Sequence, residues 1–492
     1  MTKKHSLFPS LDLLAIAHQA MLDAGFNPDV PETVLREMQS LKASLSLTEP
    51  ATRDLRALLW SSIDDAKSRD LDQVEYAESL PNGDVRLLVG IADVDALVEK
   101  ASAIDVHAAE NSTSVYTGVV TFPMLPEELS TDRTSLVGGA DRTSIVTEMV
   151  VGPDGIVRQS DVYPAVLHNY AKLSYEAVGD WLDHNGKIPS EVAEVPRMEA
   201  QLRLQFEAAI RLRELRRHHG ALQLETIQPT PVVSETGQVT DLTATEHNSA
   251  RDIIESFMIS ANVAMAQFLE AQGVTAIRRV VHIPEQWPRI VEIAHEFGEA
   301  LPAEPDSRAL AEFLARRQSA DPLHFPDLSL AVVKLLGPGE YTIEKPGTPS
   351  DGHFGLAVHD YTHSTAPNRR YADLVTQRLV KAVLRKASSP YSEEELRKIA
   401  AHCTEREDAA RKVERKMRKV AAAVLLQSRI GDQFDAIVTG ANPRGTFVRL
   451  LKPPADGLVV RGAQGLRVGE KVRVRLVSTE PERGFIDFAR IG

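Results

Sequence analysis

The sequence predicts a multidomain α+β protein with a helical N-terminal segment, a large mixed central domain and a small C-terminal β-barrel. Three observations predict it. Residues 10–45 carry apolar side chains at helical spacing, residues 60–165 carry short strand patterns with turn signals, and the chain after Gly431 reads as five short strands. A chain of 492 residues accommodates two or three domains and at least one large core.

The N-terminal segment, residues 1–50, places Leu11, Leu13, Leu14, Ile16, Met21 and Leu22 on a helix that breaks at Gly25-Phe26-Asn27-Pro28. A second helix runs from Pro31 to about Leu45. The pattern admits a helix-turn-helix, and ordinary helices joined by a turn are the commoner reading. In the central domain, residues 51–431, Asn82-Gly83 separates Val74–Leu80 from Val85–Ile91, the signature of a tight hairpin. Helical patterns cover 196–219, 252–272, 288–318, 368–386 and 393–430. Residues 432–492 contain Val438, Phe447–Leu451, Leu458–Val460, Val472–Leu476 and Phe485–Phe488 between Gly and Pro, the texture of an OB-type barrel.

Composition narrows the class. Apolar content of 43% and charged content of 25% suit a globular protein. The single cysteine, Cys403, excludes an internal disulfide and fits a reducing cytosol. No apolar run approaches the roughly 20 residues of a membrane span, and the N-terminus lacks a signal-peptide core. The expectation is a cytoplasmic protein without a membrane partner. The net charge is −13, yet residues 433–492 hold ten Lys/Arg against six Asp/Glu, so +4 there leaves −17 elsewhere. A local basic surface thus sits on an acidic protein. Histidines 107, 168, 353, 359 and 363 show no zinc spacing and read as structural.

Two constellations carry chemistry. Asp64, Asp65, Asp70 and Asp72 fall within nine positions, and the acidity stops at Gln73. Two carboxylates about 4 Å apart repel by about 4 kcal/mol at an effective dielectric near 20. A hard divalent cation with oxygen ligands, such as Mg²⁺, relieves that. Farther on, Pro367-Asn368 reads as a helix start with Arg369 and Arg370 in the first turn, where cations oppose the helix dipole. An arginine pair so placed fits anion binding, by guanidinium fork and free N–H groups. Together these point to metal-assisted phosphoryl chemistry, common to nucleases, phosphatases and polymerases.

At these residues the chain resembles the ribonuclease II (RNB) family of 3′→5′ exoribonucleases. The resemblance runs through Ser62–Asp72, Gly90–Val94, Thr113–Ser130, Gly220–Leu222, Ile254–Asn262 and His353–Leu374, and the last sixty residues are similar to an S1-type OB-fold. It implies an RNB catalytic domain that hydrolyses single-stranded RNA from the 3′ end to nucleoside 5′-monophosphates with Mg²⁺. It implies that Asp64, Asp70 and Asp72 are catalytic metal-site aspartates, with Gln73 where a fourth is expected. It makes Arg369, with Arg370 beside it, the clamp on the scissile phosphate. Tyr116 is matched to the aromatic that stacks on the terminal base, and Leu224 stands where a second aromatic is usual. Tyr175 and Glu255 match positions that read the ribose 2′-hydroxyl. Phe447, Arg444 and Arg449, with Arg473 and Arg475, form the expected RNA face of the barrel. Glu414, on the long helix, admits an approach to the site, with a solvated face the simpler reading on so charged a helix. The expected partner is single-stranded RNA rather than DNA, acted on by a monomer. Gln73 and Leu224 also admit an alternative, an RNB-fold RNA-binding regulator with weakened catalysis.

Overall fold

The computed structural model describes residues 11–41, 52–184, 186–234, 237–244, 247–443 and 445–491. Helices α1 (Leu13–Asp23) and α2 (Glu32–Ser40) stand where the apolar spacing puts them. Asp12 caps α1 by accepting from the amides of Leu14 and Ala15, which would otherwise lack partners. The two helices bury their apolar faces in different places. Leu13, Ala17 and Met21 pack with Ala410, Val413 and Met417 of the long helix described below. Val34 and Met38 join the main core.

The central domain is built on one curled sheet. Its strands in chain order are β1 (Arg53–Asp54), β2 (Trp60–Asp64), β3 (Gln73–Ser79) and β4 (Val85–Ala92). Helix α3 (Ala103–Asn111) and the short hairpin β5 (Val115–Tyr116) and β6 (Thr121–Phe122) follow, then β7 (Asp141–Val151) and β8 (Val157–Ser174). The order is β1-β8-β2-β3-β4-β7, and β7 pairs again with β8. Residues 157–168 of β8 pair with β7 and residues 169–174 with β2, so one long strand closes the sheet on itself. The Asn82-Gly83 turn joins β3 to β4 in register from Gln73↔Ile91 to Ser79↔Val85, with Gly83 at φ 84° as the turn requires.

Both faces of the sheet are covered, which is why its strands are apolar on both sides. Beyond β8 come α4 (Tyr175–His184), α5 (Ser190–Ala193), α6 (Met198–His218), the hairpin β9 (Pro229–Val233) and β10 (Val239–Ala244), and α7 (Ser249–Ala271). Ile63, Leu87 and Val89 pack under Leu202 of α6 and Ile253 and Phe257 of α7. Strand β11 (Ala276–Val280) then leads to α8 (Trp287–Glu296) and α9 (Ser307–Ala320), where the sequence pattern predicts one helix over 288–318. Gly298 takes φ 76° and Asp306 caps the Ala309 amide, so the chain stops and restarts. Helix α10 (Phe325–Leu336), β12 (Glu340–Glu344) and α11 (Tyr371–Leu384) complete the domain. Trp60, Val74 and Leu88 of the sheet's other face pack on Leu374 and Val375 of α11.

Helix α12 (Glu393–Leu426) is 34 residues long and opens with a capping box between Ser392 and Glu395. It leads into the barrel of β13 (Gln433–Asn442), β14 (Gly445–Leu450), β15 (Asp456–Arg461), β16 (Lys471–Glu480) and β17 (Phe485–Arg490), closed in the order β13-β14-β15-β17-β16. Along β16, Val472, Val474 and Leu476 are buried while Lys471, Arg473 and Arg475 are exposed, the expected period of two. Arg449 departs from its expected place on an RNA face. It is buried and ion-paired with Asp327 of α10 at 2.8 Å, so it fastens the barrel to the central domain. Arg444 lies outside the described residues. Among the described residues, no helix is long and apolar enough to cross a membrane.

Candidate active site

The site forms where β2 ends and β3 begins. Asp64 is the last residue of β2, and its register partner on β8 is Ser174, so Tyr175 emerges beside it. The intervening loop is tied down by its backbone. Lys172 donates to the Ser68 carbonyl at 2.5 Å, and Ser135 donates to the Arg69 carbonyl at 2.7 Å while accepting from the Leu71 amide. Asp64 accepts from the Asp65 amide at 2.7 Å and the Ser68 hydroxyl at 3.0 Å. Burial pushes its carboxyl upward against those bonds.

Asp72 is the inner member, 1% exposed. It accepts from the Asn368 amide and from Arg369 Nε, each at 2.9 Å. Burial outweighs both and pushes its carboxyl up to about 6. Arg369 and Arg370 precede α11 rather than occupy its first turn, since Arg370 has extended backbone at the N-cap. The argument from an opposed helix dipole therefore weakens, and placement by backbone bonds replaces it. The Ser114 amide donates to the Arg369 carbonyl at 3.0 Å and the Tyr371 amide to the Ser112 carbonyl at 2.8 Å. This zipper draws β5, with Tyr116, alongside the arginines. Arg370 turns inward to Asp373, a residue that is fully buried.

Tyr116 is 42% exposed, and its hydroxyl donates to Asp70 at 3.0 Å. Its amide donates to Glu414 of α12 at 3.1 Å. A cavity of about 880 Å³ is lined by Asp64, Asp65, Asp70, Tyr116, Arg369 and Glu414, with Arg418 one turn beyond on α12. Glu414 is thus part of the wall and not a solvated charge; the 414/418 spacing on one helical face was its only sequence signal. Asp65 pairs with Arg251 at 2.9 Å, and the Arg251 guanidinium lies 4.2 Å from the centre of the Tyr175 ring. Arg251, on α7, carried no sequence signal.

Other expected residues lie elsewhere. Glu255 and Leu224 line a second cavity of about 360 Å³ with Arg213, Arg216 and Arg217 of α6. Leu224 also packs against the core around Trp287 and Phe313. Phe447 is half-buried on β14, between Gly440 and Leu458. Gln73 opens β3, 3% exposed, paired across the ladder with Ile91.

The donors gathered at the site are all oxygens, the carboxylates of Asp64, Asp70 and Asp72, while the buried side chain of Gln73 does not line the cavity. That set fits a hard cation. Among the described residues, no three His, Cys, Asp or Glu side chains gather closely enough to hold a metal ion by themselves. A hard divalent cation that keeps several waters and accepts substrate phosphate as a ligand suits such a site.

The RNB domain family matches residues 52–386, and the RNase II-type exonuclease C-terminal S1 domain matches residues 432–491. The chain belongs to the RNB family. It is 31% identical to ribonuclease R of Thermotoga maritima over 98% of its own length and 71% of that protein. It is 29% identical to ribonuclease R of Escherichia coli, covering 94% of this chain but 60% of the relative, so it spans well under two thirds of that longer protein. The apo structure of Mycoplasma genitalium RNase R superposes with a TM-score of 0.86 at 23% identity, over 98% of this chain and 78% of that one. The RNB fold and its S1-type barrel are therefore those expected from the sequence, and RNB-family members of this kind are 3′→5′ exoribonucleases.

Proposed function

We propose that this RNB-family chain is an active, Mg²⁺-dependent 3′→5′ exoribonuclease that releases nucleoside 5′-monophosphates from single-stranded RNA. The carrying observation is the bond from Arg369 Nε to Asp72 beside a cavity that also holds Asp64, Asp70 and Tyr116. One face of the guanidinium holds the buried carboxylate while the rest lines the cavity, where it meets a phosphate and the charge that develops on it. Asp64, Asp70, Asp72 and Gln73 are the residues that would hold Mg²⁺, which when bound supplies charge neutralisation and an activated water. Tyr116 stacks on the terminal base, a contact every base can make. Tyr175, next to Asp64, faces the terminal ribose, and Glu255 lines the path farther out. Exposed Arg473 and Arg475 and half-buried Phe447 of the barrel guide the strand. The chain works as a cytoplasmic monomer with RNA, not DNA, as its partner.

The test is a 5′-labelled oligoribonucleotide incubated with the protein and Mg²⁺, beside its DNA counterpart. Progressive shortening of the RNA alone is expected. A mobility shift without shortening would overturn the proposal in favour of an RNA-binding regulator.

A further inference from the structure

The inner wall of the site breaks the rule that buried polar atoms find partners. Glu75, the third residue of β3, is 0% exposed, and neither of its carboxylate oxygens meets a hydrogen-bond donor. Its partner across the ladder, Ser61, is equally buried, with an unpartnered Oγ. Gln205 of α6 covers them. Its Nε2 reaches the Glu75 backbone carbonyl at 3.4 Å, and its Oε1 has no partner. Among the described residues, three buried acceptor oxygens and one buried hydroxyl on neighbouring parts of β2, β3 and α6 thus make no hydrogen bond. Apolar residues surround them: Ile63, Ala77 and Ala208 belong to the same core. An ionised carboxylate in such surroundings is costly unless something positive or donating reaches it.

Position suggests what that is. Side chains alternate along a strand, so Glu75 shares a face of β3 with Gln73, two residues or about 6.6 Å away. Burial, and after it the charge of Asp64, pushes the Glu75 carboxyl well above its usual range, and burial with the charges of Asp64 and Glu75 pushes the Tyr175 hydroxyl up as well. The orphaned acceptors therefore lie immediately behind the metal site, on the side where Gln73 supplies an amide in place of a carboxylate. Mg²⁺ retains waters, and those waters donate strongly. A coordination bond of about 2 Å followed by a hydrogen bond of about 2.8 Å lets a carboxylate sense an ion that it never touches.

We propose that Glu75 is the compensating carboxylate of this chain's metal site, holding the cation's hydration water through a buried water shared with Ser61 and Gln205. The inference rests on the metal-site reading above and adds a residue to it. It accounts for an acid in a strand interior, where burial pushes the carboxyl well above its usual range, and for a glutamine at position 73.

Mn²⁺ binding to the full chain, followed by electron paramagnetic resonance without RNA, reads this independently of turnover. Glu75→Gln is expected to weaken Mn²⁺ binding about tenfold while the chain melts at the same or a higher temperature. Adding Gln73→Asp to that variant should restore most of the lost affinity, a coupling that independent sites do not show. Unchanged Mn²⁺ affinity in E75Q, or strictly additive effects in the double variant, would overturn the inference and leave the metal-site reading intact. Absence of Mn²⁺ binding to the wild-type chain, or binding indifferent to Asp64→Asn, would overturn both. Should E75Q fail to fold, Ser61→Ala carries the test, with a few-fold weakening expected and no change overturning the proposal.

Discussion

The two stretches of chain around α11 use the same residue types to opposite ends. Within the helix, every nitrogen of the Arg378 guanidinium is bonded. Nε donates to Asp95 at 2.9 Å, Nη1 to Asp105 at 2.7 Å and the Tyr391 hydroxyl at 2.8 Å, and Nη2 to the Val98 carbonyl at 2.7 Å. Lys381 adds bonds to Asp93 at 2.8 Å and Asp95 at 3.1 Å. Just before the helix, Arg369 spends one bond on Asp72 and otherwise lines the cavity, while Arg370 Nε, Asn368 Nδ2 and Asp373 Oδ2 lack partners. A network that closes on itself fixes the fold. One that leaves a guanidinium facing a cavity has room for a ligand, and burial alone does not tell the two apart.

Asp72→Asn breaks the open network most severely. Release of monophosphates from labelled RNA is expected to fall about 10³–10⁴-fold, or ~4–5.5 kcal/mol, while RNA still shifts in a gel. Undiminished hydrolysis would remove Asp72 from the chemistry. Arg378→Met breaks the closed network instead. It strands Asp95 and Asp105 as buried charges, so urea unfolding should show a loss of about 3–5 kcal/mol with the turnover of the remaining folded enzyme near normal. Arg369→Lys keeps the charge and loses the fork, and should lower kcat by about 10²–10³ with little change in melting temperature.

A pH series sharpens the contrast further. The folded pKa of Asp72, about 6, lies above its ordinary value of 3.8. The folded chain therefore binds this proton more tightly than the unfolded one, and the contribution is present below about pH 4 and lost as pH rises through about 6. The unfolding free energy of wild type minus that of D72N should accordingly fall by up to about 3 kcal/mol between pH 4 and pH 7 in urea titrations. A flat difference would mean that the fold holds the ionised Asp72 carboxylate as well as water does. The smallest effect belongs to the cavity rim. Tyr116→Ala should weaken RNA binding by about 1–3 kcal/mol, whereas Tyr116→Phe keeps the stacking face, loses the bond to Asp70 and should change affinity only a few-fold.

What the sequence disclosed follows the range of each interaction. Local signals read well: the Asn82-Gly83 hairpin, the helix from 198 to 218 against a predicted 196–219, and the five barrel strands. The acidic run and the two arginines were legible as a pair of motifs, and the structure joins Asp72 to Arg369 across 297 positions. Long-range pairings were not legible. Arg449 looks like any exposed strand cation until Asp327, 122 residues earlier, is folded against it. Glu414 looks solvated until β5 lays its backbone amide on it. Glu75 looks like one alternating polar residue in a hairpin, because only α6 and α7 turn that face of the sheet inward.

Helix α12 sets a rule for how this chain can change length. At 1.5 Å per residue its 34 residues span about 51 Å. Near its middle it meets Tyr116 through Glu414, and at its end it runs into the barrel through Ala422, Ala423 and Leu426. One residue inserted between those points would turn the barrel by about 100° relative to the cavity and tear Arg449 from Asp327. Seven or eleven residues, close to two or three whole turns, would return its orientation to within about 20° but carry it about 10 to 16 Å along the axis, so the same ion pair would still break. Insertions and deletions in this stretch should therefore be resisted whatever their length, while the surface loops accept single residues freely.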